Sequence, residues 1–298
     1  MKDFSGKLAV ITGGGSGMGR ELVIQLATAG CHVAACDLSA ENLQETLALA
    51  QAAAPDVRIT THLCDVSDEA AILAFRDEVV EQHQTDHINL LFNNAGMSSG
   101  GSLFTDSREA WDRCFQICWG GVYYGTRAFL SLLTAADEAH IINTSSVNGF
   151  WASLGHDRPH TAYSAAKFAV KGFTEALITD LRCNAPHVKA SVVMPGHIGT
   201  AIIENSMHHG VDELDPEEAG VMREASDQFR DAAPLSAAEA TAIILDGVKQ
   251  EKWRILVGED AHAIDAAVRD NPEAAYDSSE FADLILKVAS EAIKTSAG

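Results

Sequence analysis

The chain has 298 residues, 47% of them hydrophobic and 21% charged, enough to bury a sizeable core in one large domain or two small ones. A formal net charge of -21 leaves little basic surface to neutralise phosphates, which argues against nucleic acid or an anionic membrane as partner. The six cysteines (Cys31, Cys36, Cys64, Cys114, Cys118, Cys183) show no C-x-x-C pair or zinc spacing, and no apolar run approaches bilayer length.

Taken in chain order, β-rich runs fall at Lys7 to Thr12, His32 to Asp37, Arg58 to Leu63, Ile88 to Asn93, His140 to Ser145, Val188 to Met194 and Arg254 to Val257. The first strand stands where a secretory leader would need its apolar core, which with the unpaired thiols predicts a cytoplasmic protein. Amphipathic segments lie between the strands, for example Ser39 to Ala53 and Ser67 to Gln82, each opened by a serine cap. Strands written as continuous apolar runs suit a parallel sheet covered on both faces. The alternation therefore predicts an α/β fold: one Rossmann-like, doubly wound parallel sheet of about seven strands. The domain is expected to span 1–258, with a substrate lid at about 201–234. Residues 259–298 should form a helical extension packed on it, with helices after Asp260 and from Ser278.

The turn after the first strand reads TGGGSGMG, Thr12 to Gly19, and opens a helix; the second strand ends in Asp37. Glycines there let the backbone approach a pyrophosphate, and free N–H groups at the helix start attract the anion. Asp37 is placed to accept hydrogen bonds from an adenosine ribose and to repel a 2′-phosphate. Ser16 and Leu38 occupy places where a basic residue would favour NADP, so NAD is the expected cofactor.

Further motifs follow in order: NNAG (Asn93 to Gly96), NTSSVNG (Asn143 to Gly149), YSAAK (Tyr163 to Lys167) and PGHIGT (Pro195 to Thr200). Together with Gly13, Gly17 and Gly19, this series resembles the short-chain dehydrogenases/reductases, in their shorter branch, over roughly Lys7 to Val257. The resemblance implies hydride transfer between a nicotinamide and a secondary alcohol or ketone, with Ser146, Tyr163 and Lys167 as the catalytic residues. It implies cofactor contacts from Ser16 and Met18 to the pyrophosphate, from Asp65 and Val66 to the adenine, and from Asn94, Ala95 and Gly96 to the adenosine ribose and neighbouring backbone. Ile198 and Thr200, beside Pro195 and Gly196, would meet the nicotinamide amide, and Tyr163 and Lys167 its ribose. No metal is implied.

The chemistry is consistent with those roles. A phenol with an ordinary pKa of about 10 is a poor base, but an ammonium one helical turn away and a positive nicotinamide would both favour the phenolate. Ser146 would stabilise charge growing on a substrate oxygen.

Two features depart from the family pattern. Cys118 stands where an asparagine is usual, and is expected to keep that residue's water contact through its carbonyl. The stretch between Ser146 and Tyr163 is long; within it His156, Asp157 and His160 read as solvated loop residues rather than a metal site. Phe150, Trp151 and Leu154 are expected to border the substrate mouth, opposite Ile202, Ile203, Met207 and Val211 of the lid, which favours a lipophilic or cyclic substrate. His197 reads equally as a substrate contact or a plain loop residue. A non-catalytic NAD-binding sensor or scaffold is the alternative; an extended-type epimerase is disfavoured by the glycine spacing. Long helices near Ser107 to Leu133 and Thr161 to Cys183 are expected to pair chains into homodimers or homotetramers.

Overall fold

The structure is a computed structural model that describes residues 1–98, 101–153, 159–203, 206, 216–276, 281 and 287. Leu154, His156, Asp157, Met207 and Val211 lie outside the described residues, as does most of the helix expected from Ser278.

Seven strands form one parallel sheet: β1 (Leu8–Thr12), β2 (His32–Asp37), β3 (Ile59–Leu63), β4 (Leu90–Asn93), β5 (Ala139–Thr144), β6 (Val188–Pro195) and, last in the chain, β9 (Arg254–Val257). Their spatial order is β3-β2-β1-β4-β5-β6-β9. The chain therefore builds outward from β1 to β3, then crosses back to place β4 on the other side of β1. In such a sheet the crossing opens a crevice beyond the carboxyl ends of β1 and β4, where ligands bind.

Alternate strand residues face opposite layers, which is why the central runs are largely apolar. Val10, Leu91 and Ile141 join a core with Phe75, Phe129 and Leu133 from α3 (Glu69–His83) and α5 (Gly121–Ala135), and with Ala162 and Ala166 of α6 (Thr161–Asn184). Ile11, Phe92 and Val193 join the opposite core with Leu22 and Leu26 of α1 (Gly17–Thr28) and Ile244 and Val248 of α8 (Ala237–Lys249).

Caps set the helix starts. Ser39 accepts from Asn42 N to open α2 (Ala40–Ala53). The cap of α3 is Asp68, which accepts from Ala70 N, and not Ser67, whose amide and hydroxyl are committed to Asp65. Ser107 caps α4 (Arg108–Phe115), and Ser236 with Glu239 forms a capping box on α8. The helix expected near Ser107 to Leu133 is interrupted: a π-turn, Gln116–Gly120, joins α4 to α5.

The expected lid contains α7 (Pro216–Asp231), and its two ends meet in a small parallel pair, β7 (Ile198–Gly199) with β8 (Leu235–Ser236). Beyond β9, α9 (Glu259–Asp270) and a 3-10 turn, Ala274–Tyr276, return the chain toward the carboxyl end of β5. Among the described residues no helix is long and apolar enough to cross a membrane.

Candidate active site

The glycine loop is dictated by close approach. Gly13 has φ +69, and a Cβ there would lie 2.8 Å from Ala95 Cα; a Cβ on Gly19 would collide with the Gly13 carbonyl oxygen. The NNAG segment is tied to the end of β1, because Thr12 Oγ1 accepts from Asn94 N at 3.0 Å and Ala95 N at 3.1 Å. The Asn94 side chain donates to Thr12 O at 3.3 Å. Asp37 crosses to the loop and accepts from Gly15 N at 2.9 Å, while Leu38 beside it is exposed. Ser16 sits at the N-cap of α1, and Met18 turns its side chain partly into the core. Arg20, absent from the expectations, holds the loop by donating to Gly15 O at 2.7 Å.

Val66 is buried against Gly121 of α5. Burial of the Asp65 carboxyl is outweighed by hydrogen bonds from Ser67 and by Arg113 at 2.8 Å, which together hold it below the usual carboxylate range. Arg113 is a second partner the sequence did not reveal.

At the carboxyl ends of β4 and β5 three expected residues converge. Ser146, extended at φ -168, opens a 3-10 turn and accepts from Asn148 N at 3.1 Å. Beside it lies Tyr163, 9% exposed, whose phenolate Ser146 favours. Lys167, 3% exposed, donates to Thr144 O at 2.9 Å, and its Nζ lies 5.3 Å from the Tyr163 ring centroid. A Cβ on Gly96 would lie 3.5 Å from Lys167 Nζ and 3.8 Å from Cys118 Sγ, so Gly96, Lys167 and Cys118 border one space. Ser145 does not join them: its hydroxyl donates to Lys167 O at 2.8 Å and fixes α6 against β5.

The acidified phenol that the sequence suggested is not supplied by the protein's own groups. Burial pushes the Tyr163 phenol up, with the nearby Cys118 adding to it and Ser146 only partly opposing. Lys167 is over the ring face and bonded to a carbonyl, rather than at the hydroxyl.

Beyond β6, Gly196 N donates to Val257 O at 2.9 Å, Ile198 is buried, and Thr200 approaches Gly17. The cofactor-side loops from β1 and β6 thus meet. His197 is held against α7: its Nε2 is 2.6 Å from Phe229 O and its ring lies 4.1 Å from that of Phe229. Trp151 is buried in contact with the C-terminal segment, while Phe150, Ile202 and Ile203 are half-buried. His160 packs on the Tyr163 ring at 4.7 Å. Among the described residues no group of three or more His, Cys, Asp or Glu is arranged to hold a metal ion.

Comparison with known proteins decides the family. The sequence profile described as short chain dehydrogenase matches residues 7–209. The chain belongs to the short-chain dehydrogenase/reductase family. As such it is an oxidoreductase. SadH of Mycobacterium tuberculosis is 36% identical to this short-chain dehydrogenase, over 90% of this chain and 92% of its own. Levodione reductase of Leifsonia aquatica is 31% identical, over 89% and 92%. A solved short-chain dehydrogenase/reductase from Burkholderia phymatum, in complex with NAD, superposes with a TM-score of 0.80 at 30% identity, covering 92% of this chain and 95% of that one.

Proposed function

We propose that this short-chain dehydrogenase is NAD(H)-dependent and moves a hydride between the nicotinamide and a secondary alcohol or ketone, with Tyr163 as general acid/base. The observation that carries the proposal is the meeting of Ser146, Tyr163 and Lys167 beside Gly96 of the NNAG segment. A dinucleotide fits the residues present: the glycine cradle has no room for side chains, Asp37 with exposed Leu38 offers the ribose a carboxylate, and the nearby Arg20 guanidinium is engaged by Gly15 O and Glu45. The related structure from Burkholderia phymatum, a complex with NAD, adds support.

In this reading Gly13, Ser16, Gly17, Met18 and Gly19 receive the pyrophosphate, Met18 through its backbone, and Asp37 and Leu38 flank the adenosine ribose. Asp65 and Val66 line the adenine, Asn94 to Gly96 the floor, and Pro195, Gly196, Ile198 and Thr200 the nicotinamide end. When bound, the nicotinamide supplies or takes up the hydride and, when oxidised, adds a positive charge. A phenol pushed up by burial keeps its proton at neutral pH, so Tyr163 is ready to protonate the oxygen of a ketone as it is reduced. Ser146 holds that oxygen by hydrogen bond, and Lys167 fixes the cofactor's ribose while remaining anchored to Thr144. Phe150, Ile202 and Ile203 favour a lipophilic or cyclic substrate. The free thiols suit a reducing cytoplasm.

The test is a panel of lipophilic and cyclic secondary alcohols and ketones with NAD(H) and NADP(H), followed by nicotinamide absorbance. Turnover preferring NAD(H) is expected. Dinucleotide binding with no turnover on any member would favour the alternative, a non-catalytic NAD sensor or scaffold.

A further inference from the structure

Residues beyond Gly258 lie outside the stretch matched by the family profile, yet they touch two active-site loops at once. The first contact begins where β9 ends. Gly258 turns the chain with φ +104, and in the first turn of α9 the Asp260 carboxylate, 5% exposed, points back at the loop after β6. Asp260 Oδ2 accepts from His197 N at 2.6 Å and Oδ1 from Ala261 N at 2.9 Å. A Cβ on Gly196 would collide with this carboxylate, so the loop is seated directly on it. A carboxylate so buried is costly unless amides satisfy it, and here one of those amides belongs to the loop proposed to hold the nicotinamide.

The second contact lies at the other end of the same segment. Trp151 Nε1 donates to Ala275 O at 2.9 Å, and Ala152 N donates to the Tyr276 hydroxyl at 2.9 Å. Trp151, Ile264, Ala275 and Phe281 form a separate buried cluster, with Val147 and Phe150 packed against it. These residues directly follow Ser146. Between the two contacts, Asp265 binds Arg254 of β9 at 3.0 Å and Arg269 at 2.9 Å, and the Arg254 guanidinium lies 5.7 Å from the Phe150 ring centroid. The segment is thus anchored at both ends and in the middle.

We infer that residues 258–276 are a brace that sets the Ser146 loop and the Pro195–Thr200 loop relative to each other, with Asp260 and Trp151 as positioning residues. The inference rests on the proposed dinucleotide-dependent activity for its kinetic consequences, but the bracing is a property of the polypeptide. Asp260 steadies the cofactor side and Trp151 the substrate side, so their substitution should have separable effects.

The experiment compares full-length wild type, Asp260→Asn and Trp151→Phe by amide hydrogen exchange without ligand, by NADH titration, and by steady-state kinetics on a substrate the wild type turns over. In Asp260→Asn, protection should fall at 196–198 and NADH should bind about tenfold more weakly, the scale of one charged hydrogen bond. In Trp151→Phe, protection should fall at 147–152 and kcat should drop about tenfold while NADH affinity stays within about twofold. Wild-type exchange in both loops, with unchanged affinity and kcat, would overturn the inference. If Asp260→Asn does not fold, Trp151→Phe decides alone. A wild type that binds no NADH would refute the cofactor assignment, and the exchange measurements would still decide the brace.

Discussion

The Cys118 thiol donates to Met97 O at 3.3 Å in a fully buried position near Lys167. A hydrogen bond from Cys114, outweighing burial, and the Lys167 charge hold this thiol below its ordinary pKa. Cys118 lies in the π-turn Gln116–Gly120, where Gly121 N reaches back to Gln116 O. Such turns shift the backbone bonding pattern from that of an ordinary helix. Cys118→Asn is expected to leave kcat equal or raise it by up to about tenfold; a loss of about tenfold or more would give the thiol a role of its own. At this scale the convergence of Ser146, Tyr163 and Lys167 was legible because each sits in a short local motif. Asp260 was not, because its partner His197 is 63 positions away and no spacing rule links a helix-start aspartate to a loop amide.

Strands and helices were readable where burial writes a pattern. The central sheet strands are largely apolar because helices cover both faces, and the expected bounds of all seven agree with the observed ones within about two residues. β7 and β8 escaped because two-residue strands carry no period. The π-turn escaped because nothing in QICWG distinguishes it from ordinary helix. The outer face of α5 and α6 carries an aromatic group: Trp119 meets Phe173 edge-on at 5.3 Å and stacks near Tyr123 at 6.0 Å, with Tyr123 and Phe168 exposed. Large aromatics left at a helix surface suit a symmetric contact with a second copy. Light scattering should therefore give a mass of two or four chains, falling toward one chain in a Tyr123→Glu, Phe168→Glu double variant. A wild-type mass of one chain would contradict the pairing.

For the molecule as a whole, the sheet order places the glycine loop after β1 and the NNAG segment after β4 side by side, though 82 positions separate Thr12 from Asn94. That topology followed from the strand–helix alternation. The contacts by which the C-terminal segment docks did not, since they depend on the side chains of Trp151, Ala275 and Phe281 meeting across the fold. The reaction proposed for this arrangement depends on one proton carried by one buried phenol.

The most direct measurement is Tyr163→Phe, assayed for hydride transfer and, in the same preparation, for NADH binding. Removing the hydroxyl should lower kcat by at least about a hundredfold, the scale of a lost general acid, while NADH affinity stays within about threefold. Turnover at the wild-type rate in a variant that still binds NADH would contradict the account.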